Sequence, residues 1–339
     1  MNETVSAQVS GEPLPQWPAP AGKRVVLILD CNTATERGVI ERWAAQARPT
    51  GTTADQVSFL AMPAKFDDAR IYAGQIEALV KQGSDALLAP ARVAWLPREH
   101  KGERSARLSD LIMMRDPRKP AEKEQKRIVQ VEPDRCRVVA AQPAGIAELD
   151  ARARATGDAD SSDAQAFSEF VTRQARLALE RAEYRLIGRR YKLPKLVAEQ
   201  IAASRRFREG VNEVAAKLHR SSDSVMKEAV KYLHELRTAH SPFWIDVMMQ
   251  IARGLFSRGY GAQVDYDQAQ IERTRAALEQ APGIILPSHK SNLDSAVTSV
   301  AFADNRLATP TTFGGINMAF WPMGTVARKA GRVFIRRDI

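Results

Sequence analysis

The sequence predicts a mixed α/β protein: a small N-terminal α/β subdomain, a central helical bundle, then the start of a second α/β domain. Three observations carry that expectation. Over the first 150 residues, β-branched apolar runs alternate with helix-length amphipathic stretches. From about residue 164 to 260 the apolar spacing is helical almost throughout. Near the C-terminus, Ile284-Ile285-Leu286 reads as a buried strand entering a polar turn, after which an apolar-periodic segment resumes.

Size and charge set the bounds. A chain of 339 residues has room for a large core and two or three substructures. Hydrophobic content of 44% and charged content of 27% are those of a globular protein. No run of about 18 apolar residues occurs. The N-terminus has neither the basic nor the apolar region of a secretory signal. Cys31 and Cys136 are far apart and outside any ligand spacing, which predicts a reducing compartment and no metal site. A net charge of +10 suits nucleic acid, an anionic lipid surface or phosphate-bearing substrates.

The elements follow in order. Residues 1–22, polar with Pro13, Pro15, Pro18 and Pro20, read as a disordered tail. In a subdomain of 23–150, Arg24 to Leu29 is a buried strand and Thr35 to Ala47 a helix. Val57 to Ala61 follows as a strand, Ala69 to Lys81 as a helix, and Ala86 to Trp95 as a third strand. Asp30 after the first strand lacks a second acid at useful spacing, so a catalytic or metal role is disfavoured. Arg115 to Arg127 reads as a solvated, charge-dense loop, and Val129 to Ala140 as strand-like. Residues 151–163, rich in Ala, Asp and Ser, read as a linker, and 164–262 as helical, with restarts at Pro194, Ser204, Ser221 and Pro242. After Ser241-Pro242, the stripe Phe243, Trp244, Val247, Met248, Ile251, Leu255 and Phe256 fits a bundle helix, or an interfacial helix on a membrane. His100, His219, His234 and His240 read as surface or capping residues. The clusters around Arg189 and Arg205 lack interleaved aromatic platforms apart from Tyr191 and Phe207, so nucleic acid is not an expected partner.

The polar turn Pro287-Ser288-His289-Lys290-Ser291-Asn292-Leu293-Asp294 holds the chemistry. Five residues of continuous helix place two side chains about 140° apart, so His289 and Asp294 meet only if the histidine sits on the turn and the acid on the first helical turn. A carboxylate that orients an imidazole makes it a general base. On spacing alone, Asp294 reads better as a helix-capping acid, boxed with Ser291, than as an orienting one. Further on, Val333-Phe334-Ile335 reads as a strand, with Gly331 permitting a tight approach before it and Arg336 and Arg337 at its end. Neighbouring strand residues point to opposite faces, so one of the two arginines should face a site. A guanidinium there suits bidentate capture of a phosphate.

Three ordered blocks resemble the PlsB-type glycerol-3-phosphate acyltransferases of the phospholipid-synthesis acyltransferase superfamily. They are Pro287 to Asp294, Gly315-Ile316-Asn317-Met318-Ala319-Phe320-Trp321-Pro322-Met323-Gly324, and Gly331-Arg332-Val333-Phe334-Ile335-Arg336-Arg337. The resemblance implies transfer of an acyl group from acyl-CoA or acyl carrier protein to the 1-hydroxyl of sn-glycerol 3-phosphate. His289 would be the base and Asp294 its orienter. Arg337 would bind the phosphate, with Arg336, Arg328, Gly331 and Phe334 completing the substrate site. No metal or cofactor is implied. An anionic membrane surface is the implied partner, with the protein peripheral on the cytoplasmic side of the cell membrane. The family continues with a Glu-Gly-x-x-Ser-Arg block that this sequence does not contain, so 263–339 is expected to be an incomplete acyltransferase domain and this chain alone nearly inactive. Two alternatives stand beside this one: acyl transfer to dihydroxyacetone phosphate or lysophosphatidate, and a basic helical binding module without catalysis. A serine hydrolase using Ser288 or Ser291 lacks the nucleophile-elbow glycines.

Overall fold

The computed structural model describes residues 15–336 except 64–65, 83–84, 101, 114, 158–160, 188–197, 199–200, 203, 237–239, 260, 262–263, 287, 289–293 and 322. The fold is mixed α/β, as the alternating pattern predicts. Its described residues fall into two compact units, one formed from residues up to 98, 117–186 and 200–219, the other chiefly from 99–116 and residues after 219.

The first unit is built on β1 (Val25–Asp30), flanked in parallel by β2 (Val57–Ala61) and β3 (Leu87–Trp95). Two helices connect them, α1 (Ala34–Ala47) and α2 (Phe66–Lys81). A parallel strand covered on both faces must be apolar throughout, and β1 divides its side chains by the period of two. Val25, Leu27 and Leu29 enter a layer with Ile40 and Trp43 of α1. Val26 and Ile28 enter the opposite layer, with Tyr72 and Ile76 of α2. Helix α3 (Glu122–Val131) adds Ile128 to the first layer, and β4 (Cys136–Ala140) closes the sheet antiparallel to β3. The short β5 (Ala144–Gly145) pairs with the start of β3. Helices α4 (Ile146–Thr156) and α5 (Ala164–Ile187) bring Leu149, Phe167, Phe170 and Leu179 to the second layer. Helix α6 (Arg205–Lys217) also belongs to this unit, its N-terminus capped by the Ser204 hydroxyl accepting from the Phe207 N–H.

Three local expectations differ from what is found. Within Arg115 to Arg127, expected as a solvated loop, α3 begins at Glu122. Its dense charge hides a helix anchored by only Gln125 and Ile128. The stretch 151–163 begins inside α4, which ends where Gly157 turns left-handed at φ 67°. Alanine and arginine favour a surface helix that buries only Leu149 and Ala153, and composition alone reads such a helix as a linker. Residues 15–22, read as part of a tail, include Trp17 packed 6.0 Å from Trp43, whose indole N–H donates to the Pro15 carbonyl.

The second unit contains α7 (Ser222–Leu236), α8 (Pro242–Gly259), α9 (Gln268–Gln280) and α10 (Asp294–Asp304). A two-stranded parallel sheet follows, β6 (Thr312–Gly315) beside β7 (Arg332–Ile335), with α11 (Met323–Lys329) leading into β7. Helix α8 starts at Pro242 as expected, and buries Phe243, Ile245, Val247, Ala252 and Phe256. Its polar face is engaged too. Buried Asp246 accepts from the Ala106 N–H at 2.8 Å, and the Gln250 side chain bonds the Ala106 carbonyl and the Leu108 N–H. Contacts on both sides favour the packed reading of this helix over the interfacial one.

Candidate active site

The candidate site belongs to the second unit, and the expected residues reach it from α10, β7 and α11. The base expected at His289 and the phosphate ligand expected at Arg337 lie outside the described residues, as do Ser291 and the capping box placed on it. Asp294 is the first residue of α10 as described, on the first helical turn where an orienting carboxylate for a turn histidine must sit. Below it the helix is fixed by its far end. Arg306 adopts the left-handed conformation at φ 54°, and the Leu307 N–H closes back onto the Phe302 carbonyl at 2.8 Å. Arg275 donates to the Asn305 carbonyl at 2.8 Å and Arg253 pairs with Asp304. Cations at a helix C-terminus oppose its partial negative charge, so α10 is held where two arginines suit it best.

The strand expected just before the turn is not found. Ile284, Ile285 and Leu286 pair with no strand, and Leu286 is 88% exposed. Three β-branched and aliphatic residues suffice for the pattern, but a parallel strand persists only when flanked and covered. Among the described residues nothing pairs with it.

Strand β7 is as expected, with Val333 and Phe334 buried. Phe334, 3% exposed, is enclosed by packing: its register partner is Gly314, and the Arg328 guanidinium lies 5.4 Å above its ring. Arg328 thus stacks on the strand that carries the terminal arginines. Gly331 precedes the strand at φ +102°, and a Cβ there would lie 2.7 Å from His240 Nε2. The tight approach expected at Gly331 is therefore real, and its partner is a histidine that the sequence alone placed at the surface. His240 is 7% exposed. Its neighbour Ser241 donates its N–H to the Lys329 carbonyl at 2.8 Å. Gly324 fills a similar position, where a Cβ would overlap the Ala319 carbonyl. Arg336 is exposed and pairs with Glu235 of α7 at 3.1 Å. On the same helix, Glu228 is held below the usual carboxylate range by hydrogen bonds from Arg220 and then Tyr232.

Outside this region, the acid weighed after the first strand is engaged in an ion pair. Asp30 faces Arg92 at 3.3 Å, and Arg92 also pairs with Glu183 at 2.8 Å. Burial, followed by the charge of Glu36, pushes the Cys31 thiol up to about 12. Burial also pushes Cys136 up to about 12. Neither thiol offers a thiolate nucleophile near neutrality. Among the described residues no group of three His, Cys, Asp or Glu is placed to hold a metal ion, and no described helix is long and apolar enough to cross a membrane.

Residues 268–339 match the acyltransferase family model. More particularly, the chain resembles PlsB-type acyltransferases. It is 36% identical over 139 residues to the putative acyltransferase plsB1 of Mycobacterium tuberculosis and of Mycobacterium bovis. It is 28% identical over 185 residues to the glycerol-3-phosphate acyltransferase of Colwellia psychrerythraea. These matches take in 41% and 55% of this chain respectively, and 22% of the length of each relative.

Proposed function

We propose that the protein transfers an acyl group from acyl-CoA or acyl carrier protein to the 1-hydroxyl of sn-glycerol 3-phosphate, the entry step of phospholipid synthesis. The observation that carries this reading is that the family match at 268–339 contains all three motif blocks in order, with Asp294 heading α10. The acceptor oxygen attacks the thioester carbonyl as His289 removes its proton. The C–S bond breaks, and the imidazolium returns the proton to the departing thiolate. No covalent acyl-enzyme forms. Asp294 orients His289 and balances its charge in the imidazolium form. Arg337 receives the acceptor phosphate. The excess of basic residues suits both the anionic substrates and an anionic lipid surface, on which we place the protein as a peripheral enzyme on the cytoplasmic side. No cofactor is needed beyond the acyl donor.

An acceptor panel tests this. Offered labelled acyl-CoA, the full-length protein should acylate sn-glycerol 3-phosphate at its 1-position far faster than dihydroxyacetone phosphate or lysophosphatidate. Preference for either of the latter would reassign the acceptor, and transfer to none of them would leave a binding role.

A further inference from the structure

Four apolar side chains stand out from the second unit around one turn. Phe313, Phe320 and Trp321 are 71%, 61% and 83% exposed, and Ile316 between them is exposed as well. A single exposed apolar residue is ordinary, whereas a cluster around one turn marks a surface that meets a partner. The backbone holds this turn in place. A short 3-10 helix, Ile316–Met318, follows β6, and the Ala319 N–H returns to the Ile316 carbonyl at 2.9 Å. The Gly324 N–H then closes on the Phe320 carbonyl at 2.7 Å, and a Cβ at Gly324 would overlap the Ala319 carbonyl. Helix α11 therefore starts hard against the turn, with Phe320 and Trp321 on the outside. The charge here is one-sided. Residues 305–337 contain six basic residues and no acidic one. Arg336 pairs with Glu235, but among the described residues Arg306, Arg328, Lys329 and Arg332 form no ion pair. Arg328 and Lys329 instead lie 5.4 Å over the rings of Phe334 and Trp244. Arg332 runs beside β6 from Thr312 to Gly314, the two neighbours of Phe313. Unbalanced cations and exposed apolar residues thus share one piece of structure, from β6 through the short α11 to β7.

We propose that the turn at 313–321 is the part of the protein that enters an anionic lipid surface. Phe320 and Trp321 seat at the boundary between headgroups and acyl chains, where an aromatic side chain keeps one end wet. Phe313 and Ile316 add apolar area, and the four unbalanced cations meet lipid phosphates. Charge sets other occupants aside. A second copy of the chain in a two-fold contact would bring the same cations face to face. Single-stranded nucleic acid calls for stacking rings interleaved with cations along a groove. Here the apolar side chains, Ile316 among them, form one block with cations only on its flanks. The inference rests on the peripheral placement proposed above and adds the residues through which the bilayer is touched.

The test is sedimentation of the full-length protein with vesicles of phosphatidylcholine, alone or mixed with phosphatidylglycerol. Binding should require phosphatidylglycerol and weaken at high salt. Phe320→Ser combined with Trp321→Ser should weaken it about tenfold or more, with the melting temperature unchanged because both sites are exposed. Lys329→Gln and Arg332→Gln should each weaken it about fivefold. Trp321→Phe should keep binding but lose part of the blue shift that vesicles cause in tryptophan emission. A residue that only supports the fold would leave that shift unmoved. Vesicle binding unchanged in the serine pair overturns the inference. So does iodide that fails to quench Trp321 in the free protein, since the rest of the chain then covers the turn. A serine pair that splits an oligomer, or that loses a labelled single-stranded oligonucleotide, overturns it in favour of those occupants. Vesicle binding is read without substrate. A protein that binds through this turn yet transfers no acyl group therefore keeps this inference and loses the proposed reaction. One that transfers acyl groups in detergent but binds vesicles without the turn does the reverse.

Discussion

Gly331 shows how much a single residue can say and where it falls silent. Its place just before an apolar run, followed by two arginines, marks a tight approach into a strand, and it does sit at φ +102°. The sequence does not reveal what it approaches. His240 is 91 positions earlier by residue number, and its neighbours Ser241 and Pro242 read convincingly as a helix start, so the imidazole looks like a surface residue. Only the tertiary fold puts it under Gly331. A side chain at Gly331 meets both problems: an unfavourable backbone angle and an occupied space. Gly331→Ala should therefore lose about 1–3 kcal/mol of unfolding free energy in urea titration. A loss below a few tenths would show that His240 yields freely. The catalytic residues divide similarly. Asp294 is the first residue of α10 as described, while the roles expected of His289, Asp294 and Arg337 rest on the motif resemblance.

At the scale of elements, legibility follows how each element is stabilised. β1, β2, β3 and the helices between them were readable because continuous apolar runs and helical stripes are what a doubly covered parallel sheet requires. α3 and α4 were not, since each hangs on two buried residues beneath a polar surface. Ile284 to Leu286 failed in the opposite direction: the apolar run is present, and among the described residues no strand pairs with it. Helix α8 sits between these cases. Its stripe predicts a buried face, yet its polar face is also used, through Asp246 on the Ala106 N–H. Ala106 is fully buried, so removing the carboxylate leaves that donor without its partner. Asp246→Ala should cost about 1–3 kcal/mol in denaturant unfolding, with Asp246→Asn closer to wild type. An effect near zero would mean that water reaches Ala106.

Across the whole molecule, fold class and function were legible from different parts of the chain. The N-terminal 150 residues announce an α/β architecture through alternation and say nothing of chemistry. The last 50 or so announce chemistry through three ordered blocks, the later two bordering a parallel sheet of two strands among the described residues. The His-x4-Asp spacing by itself suits a helix cap better than a catalytic pair. Its reading as a base-and-orienter pair rests on the Gly315-to-Gly324 and Gly331-to-Arg337 blocks behind it, and the family match spans the same residues. The match to 22% of each relative's length leaves the whole enzyme's activity as the central claim to be tested. The most direct measurement is acyl transfer from acyl-CoA to sn-glycerol 3-phosphate by the full-length wild-type protein and by its His289→Ala variant, with folding followed by circular dichroism. The account predicts transfer reduced by about 10²–10⁴-fold in the variant with an unchanged spectrum. Equal transfer by both proteins would contradict it.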